Sequence, residues 1–267
     1  MSFSSLDRAI LEAIVYFDLF SYPLTTVEVW HNLSIKVPYR EVHKVLAQSP
    51  YLKTKVQCRQ GMWYLRGRDE CIFERQKRYR ISKHKIDIAR KFVRLASRIP
   101  WIQEISACNS LGFLHARGES DIDLFIVARR GRIWSARFFS VLLAKLFGRP
   151  SLANMKDSLC LSFFATAGAH MKKLALTGED VYFRNWLTHL LPLYRRKDIS
   201  RKNGSVGNMF EKIVRALQMN IMPAHLKTMA NKGTGVVISE EFLKFHDHDR
   251  REYFRKEYER KLAAVAG

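Results

Sequence analysis

The chain is short of cysteine, short of acid and free of long apolar runs, and each shortage removes a class of protein. Four cysteines (Cys58, Cys71, Cys108 and Cys160) stand far apart in 267 residues, with no Cys-x-x-Cys pair. That pattern supports neither a disulfide framework nor a zinc site, and it sets a reducing cytoplasm as the expected compartment. No stretch approaches the roughly 18 uncharged apolar residues that a membrane-crossing helix needs, so no membrane partner is expected. The N-terminal apolar residues are interrupted by Asp7, Arg8, Glu12 and Asp18, which argues for an amphipathic helix and against a secretory leader. Walker A, Gly-x-Ser-x-Gly and dinucleotide-binding glycine patterns are missing too.

Acids number 25 against 46 Lys and Arg, a formal net charge of +21. A field of that sign attracts polyanions such as nucleic acid and nucleotide phosphates. With 47% hydrophobic and 12% aromatic content, the chain can also bury a substantial core. It reads as a folded protein of the α+β class.

Residues 1–66 alternate helix and turn signals. Ser4 precedes a helix with Leu6, Ile10, Ile14 and Phe17 at helical spacing, and Ser21-Tyr22-Pro23 ends it. Thr25-Thr26-Val27-Glu28 has the form of a capping box. It predicts a short helix that buries Val27, Trp30 and Leu33. Pro38 suits the first turn of a third helix, with Val42, Val45 and Leu46 inward. Leu52–Cys58 and Met62–Leu65 then read as strands around Arg59-Gln60-Gly61. Three helices followed by a β-hairpin are the arrangement of a winged helix. Its third helix would turn Tyr39, Arg40, His43 and Lys44 outward, so Arg40, His43 and Lys44 are the candidate nucleic-acid contacts. The same pattern also suits a module that only packs or contacts protein.

Residues 67–99 form a basic helical connector, one or two helices with an intermittent apolar stripe of Phe73, Ile86, Ala89, Phe92, Val93 and Ala96. Most of its charges are expected on a solvated face. Residues 100–168 then alternate. Ile102–Cys108 reads as a strand, Asn109–Ser120 as a connector and Asp121–Ala128 as a second strand. Gly131 opens a helix with Trp134, Phe138, Val141, Leu142 and Leu146, closed by Gly148-Arg149-Pro150, and Leu159–Ala165 is a third strand. Residues 169–267 read as a helical C-terminal region, with helices over Tyr182–Leu191, Phe210–Met219 and Glu240–Ala264. Lys197–Gly207 is a polar connector within it.

Two aspartates at alternate positions of one strand share a face, so Asp121 and Asp123 are candidate metal ligands and catalytic carboxylates. Leu124, Phe125, Ile126 and Val127 supply the apolar strand that fixes them. Ser110, in the preceding loop, can hold phosphate oxygens through its hydroxyl and through backbone amides. The combination of small-residue turn, ten residues and Asp-Ile-Asp in an apolar strand resembles the polymerase-β-type nucleotidyltransferase superfamily. The signature of that superfamily is Gly-Ser, a spacer near ten, then Asp-h-Asp-h, where h is apolar. Asn109-Ser110 stands at the Gly-Ser position and Asp121-Ile122-Asp123-Leu124 at the carboxylate strand. Ala116–Phe139 is further similar to a bacterial group with an N-terminal winged helix.

The resemblance implies a polymerase-β-like α/β core over 100–168, with Asp121 and Asp123 binding two Mg²⁺ ions. It implies a nucleoside triphosphate such as ATP bound by Asn109 and Ser110, with Arg132 and Arg137 neutralising phosphate. The implied reaction moves a nucleoside monophosphate to an acceptor hydroxyl. Two positions depart from the family pattern. Asn109 replaces glycine, and the strand LCLSFFA offers Ser162 but no third acid, with Asp157 just before it. The alternative expectation is therefore a catalytically weakened member acting as a winged-helix nucleic-acid-binding regulator. His246-Asp247-His248-Asp249 is read as a solvated helix end, because a spacing of two puts helical histidines on different faces.

Overall fold

In the computed structural model, residues 4–147, 156–176, 180–197 and 209–266 are described. The helix stop expected at Gly148–Pro150 lies outside them, as does the connector expected beyond Lys197. The chain divides into two compact units, Met1–Tyr79 with Arg250–Gly267, and Arg80–Asp249. It is α+β, with a mixed sheet and a C-terminal helix. No described helix is long and apolar enough to cross a membrane.

The first unit starts with α1 (Ser5–Asp18), whose N-cap Ser4 forms a capping box with Asp7. Two orphan donors are satisfied at once, which stabilises the helix by about 1 kcal/mol. Asp7 also accepts from the Ser49 hydroxyl at 2.5 Å, tying the start of α1 to a later turn. β1 (Leu24–Thr25) leads into α2 (Thr26–His31), capped by Thr25 and Glu28 as the sequence predicts. Inward packing differs from the expectation. Val29 is fully buried while Val27 is 47% exposed, because α2 is little more than one turn and its inner face is set by the cap. α3 (Tyr39–Gln48) starts after Pro38 and buries Val42 and Leu46.

The strand expected over Leu52–Cys58 is half helix. α4 (Pro50–Lys55) has Pro50 in its first turn, and its N-cap Ser49 accepts from the Leu52 amide. β2 (Val56–Arg59) and β3 (Met62–Leu65) follow, joined by Gln60 and Gly61 with φ of 53° and 72°. Two successive positive φ values suit the twist of a tight hairpin. β1, β3 and β2 form an antiparallel three-stranded sheet in that order. α5 (Glu70–Ala96) is one continuous helix. Near its start Cys71 and Ile72 are buried, whereas Phe73, expected inward, is 70% exposed.

In the second unit, β4 (Ile102–Ala107), the single-turn α6 (Asn109–Gly112), β5 (Ile122–Ala128), α7 (Ile133–Leu146) and β6 (Leu159–Thr166) follow the predicted rhythm. β4 and β5 are antiparallel; β5 and β6 are parallel, with α7 as crossover. Within α7, Leu142 and Leu146 are exposed, whereas Trp134 is buried in the core. The N-cap of α7, Arg132, makes no side-chain cap bond. Glu211 takes over, accepting from the Trp134 and Ser135 amides and from the Ser135 hydroxyl. A carboxylate there also suits the positive end of the helix.

The C-terminal region departs most from the expectation. α8 (Val181–Thr188) ends early, and β7 (Leu191–Arg195) pairs with β4. α9 (Met209–Ile221) and the short α10 (Ala224–Met229) are helices, but β8 (Val236–Ile238) and β9 (Phe242–Phe245) form a hairpin. Only then does α11 (Arg251–Ala266) begin. The sheet has six strands in the order β7-β4-β5-β6-β9-β8. Strand alternation divides its faces. Ile122, Leu124 and Ile126 join the core under α7, while Phe125 and Phe163 pack with Phe183 and Trp186 on the other side.

Candidate active site

Asp121 and Asp123 come together at the start of β5 with a third group that the sequence did not suggest. One ligand atom each from Asp121, Asp123 and Cys160 lies within 4.8 Å of the others. Cys160 is opposite Asp123 in the parallel β5–β6 ladder. Burial, with Asp121 beside it, raises the Asp123 carboxyl to about 6. Burial and the two carboxylates push the Cys160 thiol well above its ordinary value, leaving a neutral S–H donor.

The two carboxylates are a donor set that fits a hard divalent cation, which would relieve the repulsion that raises Asp123. The neutral Cys160 sulfur suits Mg²⁺ poorly. Mg²⁺ at this place would thus rest on the oxygens of Asp121 and Asp123 alone.

Asn109 takes a left-handed backbone conformation, with φ of 53°. Asparagine is among the few residues that tolerate it. Its side-chain oxygen accepts from the Trp186 indole at 3.0 Å, and its side chain also hydrogen-bonds Asp123, which pulls that carboxyl back down. The Cys108 amide donates to the Asp123 backbone oxygen at 3.1 Å, so the turn carrying Asn109 and Ser110 is held against β5. Ser110 is half-buried within that turn.

No protein-family model, curated protein or solved structure matches the chain.

Arg132 and Arg137 are engaged elsewhere. Both belong to the α7 segment, which packs on the face of the sheet opposite Phe125, the face that Asp123 shares by strand alternation. The Arg132 guanidinium lies 6.0 Å from the Trp101 ring centre. Arg137 donates to Gln218 at 2.6 Å and stands 4.5 Å over the Phe245 ring. The helix that carries these two arginines thus packs on the face of the sheet away from Asp123. Asp157 is likewise committed to another partner, the buried Lys85, at 2.6 Å.

Two more side chains extend the site. Cys160 donates to the Ser162 hydroxyl at 3.3 Å, and Ser162 lies 2.7 Å from His246 Nε2. His246 follows β9 and does not end a helix, which is why its helical reading failed. In the first unit, Tyr39, Arg40, His43 and Lys44 are all exposed on α3, as expected.

Proposed function

We propose that this protein is a nucleotidyltransferase of the polymerase-β type. It would bind a nucleoside triphosphate at the Asn109–Ser110 turn and transfer the nucleoside monophosphate to an acceptor hydroxyl. The observation that carries the reading is the pairing of Asp121 with Asp123, beside a turn with positive φ at Asn109. Two carboxylates that repel each other in a partly dry site are costly unless a cation or a proton joins them. The strand order β4-β5-β6, with α7 as crossover, supports the same reading. A divalent cation bound there supplies charge neutralisation for the triphosphate and its leaving group. The protein supplies position. Asn109 orients Asp123, and the Cys108 amide anchors the turn to β5.

The test is nucleotide labelling. The full chain is incubated with triphosphates labelled at the α-phosphate, Mg²⁺ and candidate acceptors, alongside an Asp121→Asn/Asp123→Asn double variant. Labelling lost in the double variant supports the assignment; labelling that survives it removes Asp121 and Asp123 from the chemistry.

A second reading rests on a separate observation in the first unit. Helices α1, α2 and α3 with a three-stranded antiparallel sheet support a winged helix, and the exposed Arg40, His43 and Lys44 on α3 suit a phosphate backbone. In that reading the protein binds nucleic acid and its carboxylate site only senses nucleotide. Salt-sensitive duplex binding without any labelling would favour it.

A further inference from the structure

A transferase that acts on a hydroxyl must place the hydroxyl's proton somewhere, and no third carboxylate stands at this site among the described residues. Asp157, the nearest acid to β6 in sequence, is tied to Lys85. On β6 itself Cys160 stands with the aspartates, and the Ser162 hydroxyl is in contact with Cys160.

Ser162 reaches its place through an irregularity in the sheet. Asp123 pairs with Cys160 and Phe125 with Phe163, so Leu161 and Ser162 together oppose the single residue Leu124. Such a bulge re-aims a side chain, and bulges are frequent beside active sites. Leu161 stays with the core under α7, while Ser162 lies beside Cys160 and 2.7 Å from His246 Nε2.

His246 is fixed from its backbone outward. Its amide donates to the Gly235 oxygen at 3.1 Å. A side chain at Gly235 would place its Cβ 2.5 Å from the His246 carbonyl oxygen, so this close approach requires glycine. The imidazole also meets the Phe163 ring edge-on at 6.2 Å. The titratable groups beside it in the chain are Asp247 and the Lys244–Asp249 ion pair, and Cys160 lies beyond Ser162 on β6.

We propose that Ser162 and His246 together accept the proton of the attacking hydroxyl, the task a third acid would otherwise perform. This rests on the nucleotidyltransferase reading. As the acceptor oxygen bonds to the α-phosphorus, its proton passes to Ser162 Oγ and the Ser162 proton passes to His246 Nε2. The bond from the α-phosphorus to the bridging oxygen breaks, and pyrophosphate leaves with that electron pair. His246 later returns the proton to solvent. The pair works with His246 protonated on Nδ1 and open on Nε2.

The test follows pyrophosphate release from ATP and Mg²⁺ by the full chain, with an acceptor that the wild type labels, or water. His246→Ala should lower turnover about 10²-fold while leaving affinity for a fluorescent ATP analogue unchanged. Added imidazole should restore part of the lost rate, and the acidic limb of the pH profile should flatten. His246→Gln can still hydrogen-bond Ser162 but cannot take the proton, so it should remain slow while melting like the wild type. Ser162→Ala should be slow and insensitive to imidazole. Wild-type turnover in His246→Ala or His246→Gln, with Asp123→Asn inactive, overturns the relay and leaves the transferase standing. So does a loss in His246→Ala that imidazole does not repair and that tracks a lowered melting temperature. Pyrophosphate release that never depends on Asp121 and Asp123 overturns both.

Discussion

The fully buried ammonium of Lys85 donates to the Asp157 carboxylate at 2.6 Å, to the Ser120 carbonyl at 2.6 Å and to the Gly118 carbonyl at 3.2 Å. All three of its protons are used. The acceptors lie just before Asp121 and just before β6, so one lysine from α5 ties together the starts of both site strands. The Asp157 amide and the Ser120 oxygen join the same junction at 3.2 Å. Removing the ammonium leaves two carbonyls and a partly buried carboxylate without it. Lys85→Met should cost roughly 2–4 kcal/mol in chemical denaturation, the upper part of that range being lowered because Asp157 is partly hydrated. Asp157→Asn, which still offers an oxygen to Lys85, should cost clearly less. Equal losses in the two variants would contradict this division of roles.

Asp123 should trade stability for function. Its folded-state carboxyl lies near 6, above the ordinary value, through burial and then Asp121. The folded state therefore holds a proton that the unfolded chain releases between about pH 4 and pH 6, and metal-free stability falls as pH rises through that window. Asp123→Asn removes the penalty. In chelator at pH 7.5 it should be more stable than the wild type by about 1–3 kcal/mol, and the gain should vanish near pH 4. Mn²⁺ should protect the wild type against heat and leave the variant unchanged. A variant less stable than the wild type at pH 7.5 would contradict the repulsion.

Local signals carried the first unit, and long-range pairing hid much of the second. The helix start after Ser4 and the capping box at Thr25 were legible because each cap closes within three residues. Ser49-Pro50 is an equally local helix start, masked by the strand-like run Leu52–Cys58 that follows it. β7 contains Pro192, which suits an edge strand only, and that edge is set by β4, some 90 residues earlier in the chain. Val236-Val237-Ile238 carried a β-branched signal of its own, but the charged run after it suggested helix. The Asp121/Asp123 pair was legible from strand alternation. Cys160, Ser162 and His246 were not, because their meeting depends on a bulge in β6 and on a hairpin distant in sequence.

Glu28 sits at the centre of the first unit's polar network. It caps α2 through Thr25, accepts from Arg75 through both oxygens at 2.8 Å, and accepts from the Tyr22 hydroxyl at 2.9 Å. Burial pushes its carboxyl up, but the Arg75 guanidinium and Thr25 outweigh it and hold the carboxyl below its ordinary value. A depressed carboxyl contributes stability above the unfolded-state value, and that stability is lost as pH falls through the folded one. Glu28→Gln should therefore cost about 1–3 kcal/mol at pH 7. The gap from the wild type should close in acid. A gap independent of pH between 7 and 3 would show that packing, and not charge, holds this corner.

The outer face of α3 yields a prediction independent of the carboxylates. Arg40 and Lys44 are exposed four residues apart, a spacing that places both charges on one side of the helix. If that side meets a nucleic-acid backbone, each charge releases condensed counterions on binding, and the salt dependence records how many. Arg40→Ala and Lys44→Ala should each reduce the slope of log affinity against log salt by about 1, on duplexes of any sequence. The weakening should be uniform across sequences, because contacts of this kind position a duplex without reading its bases. His43→Ala, which removes no lysine or arginine, should leave the slope intact while altering affinity modestly. Fluorescence anisotropy with a labelled duplex from 50 to 200 mM salt measures all three. Slopes unchanged in both charge variants would assign duplex binding to the protein's other basic residues and leave α3 as a packing element.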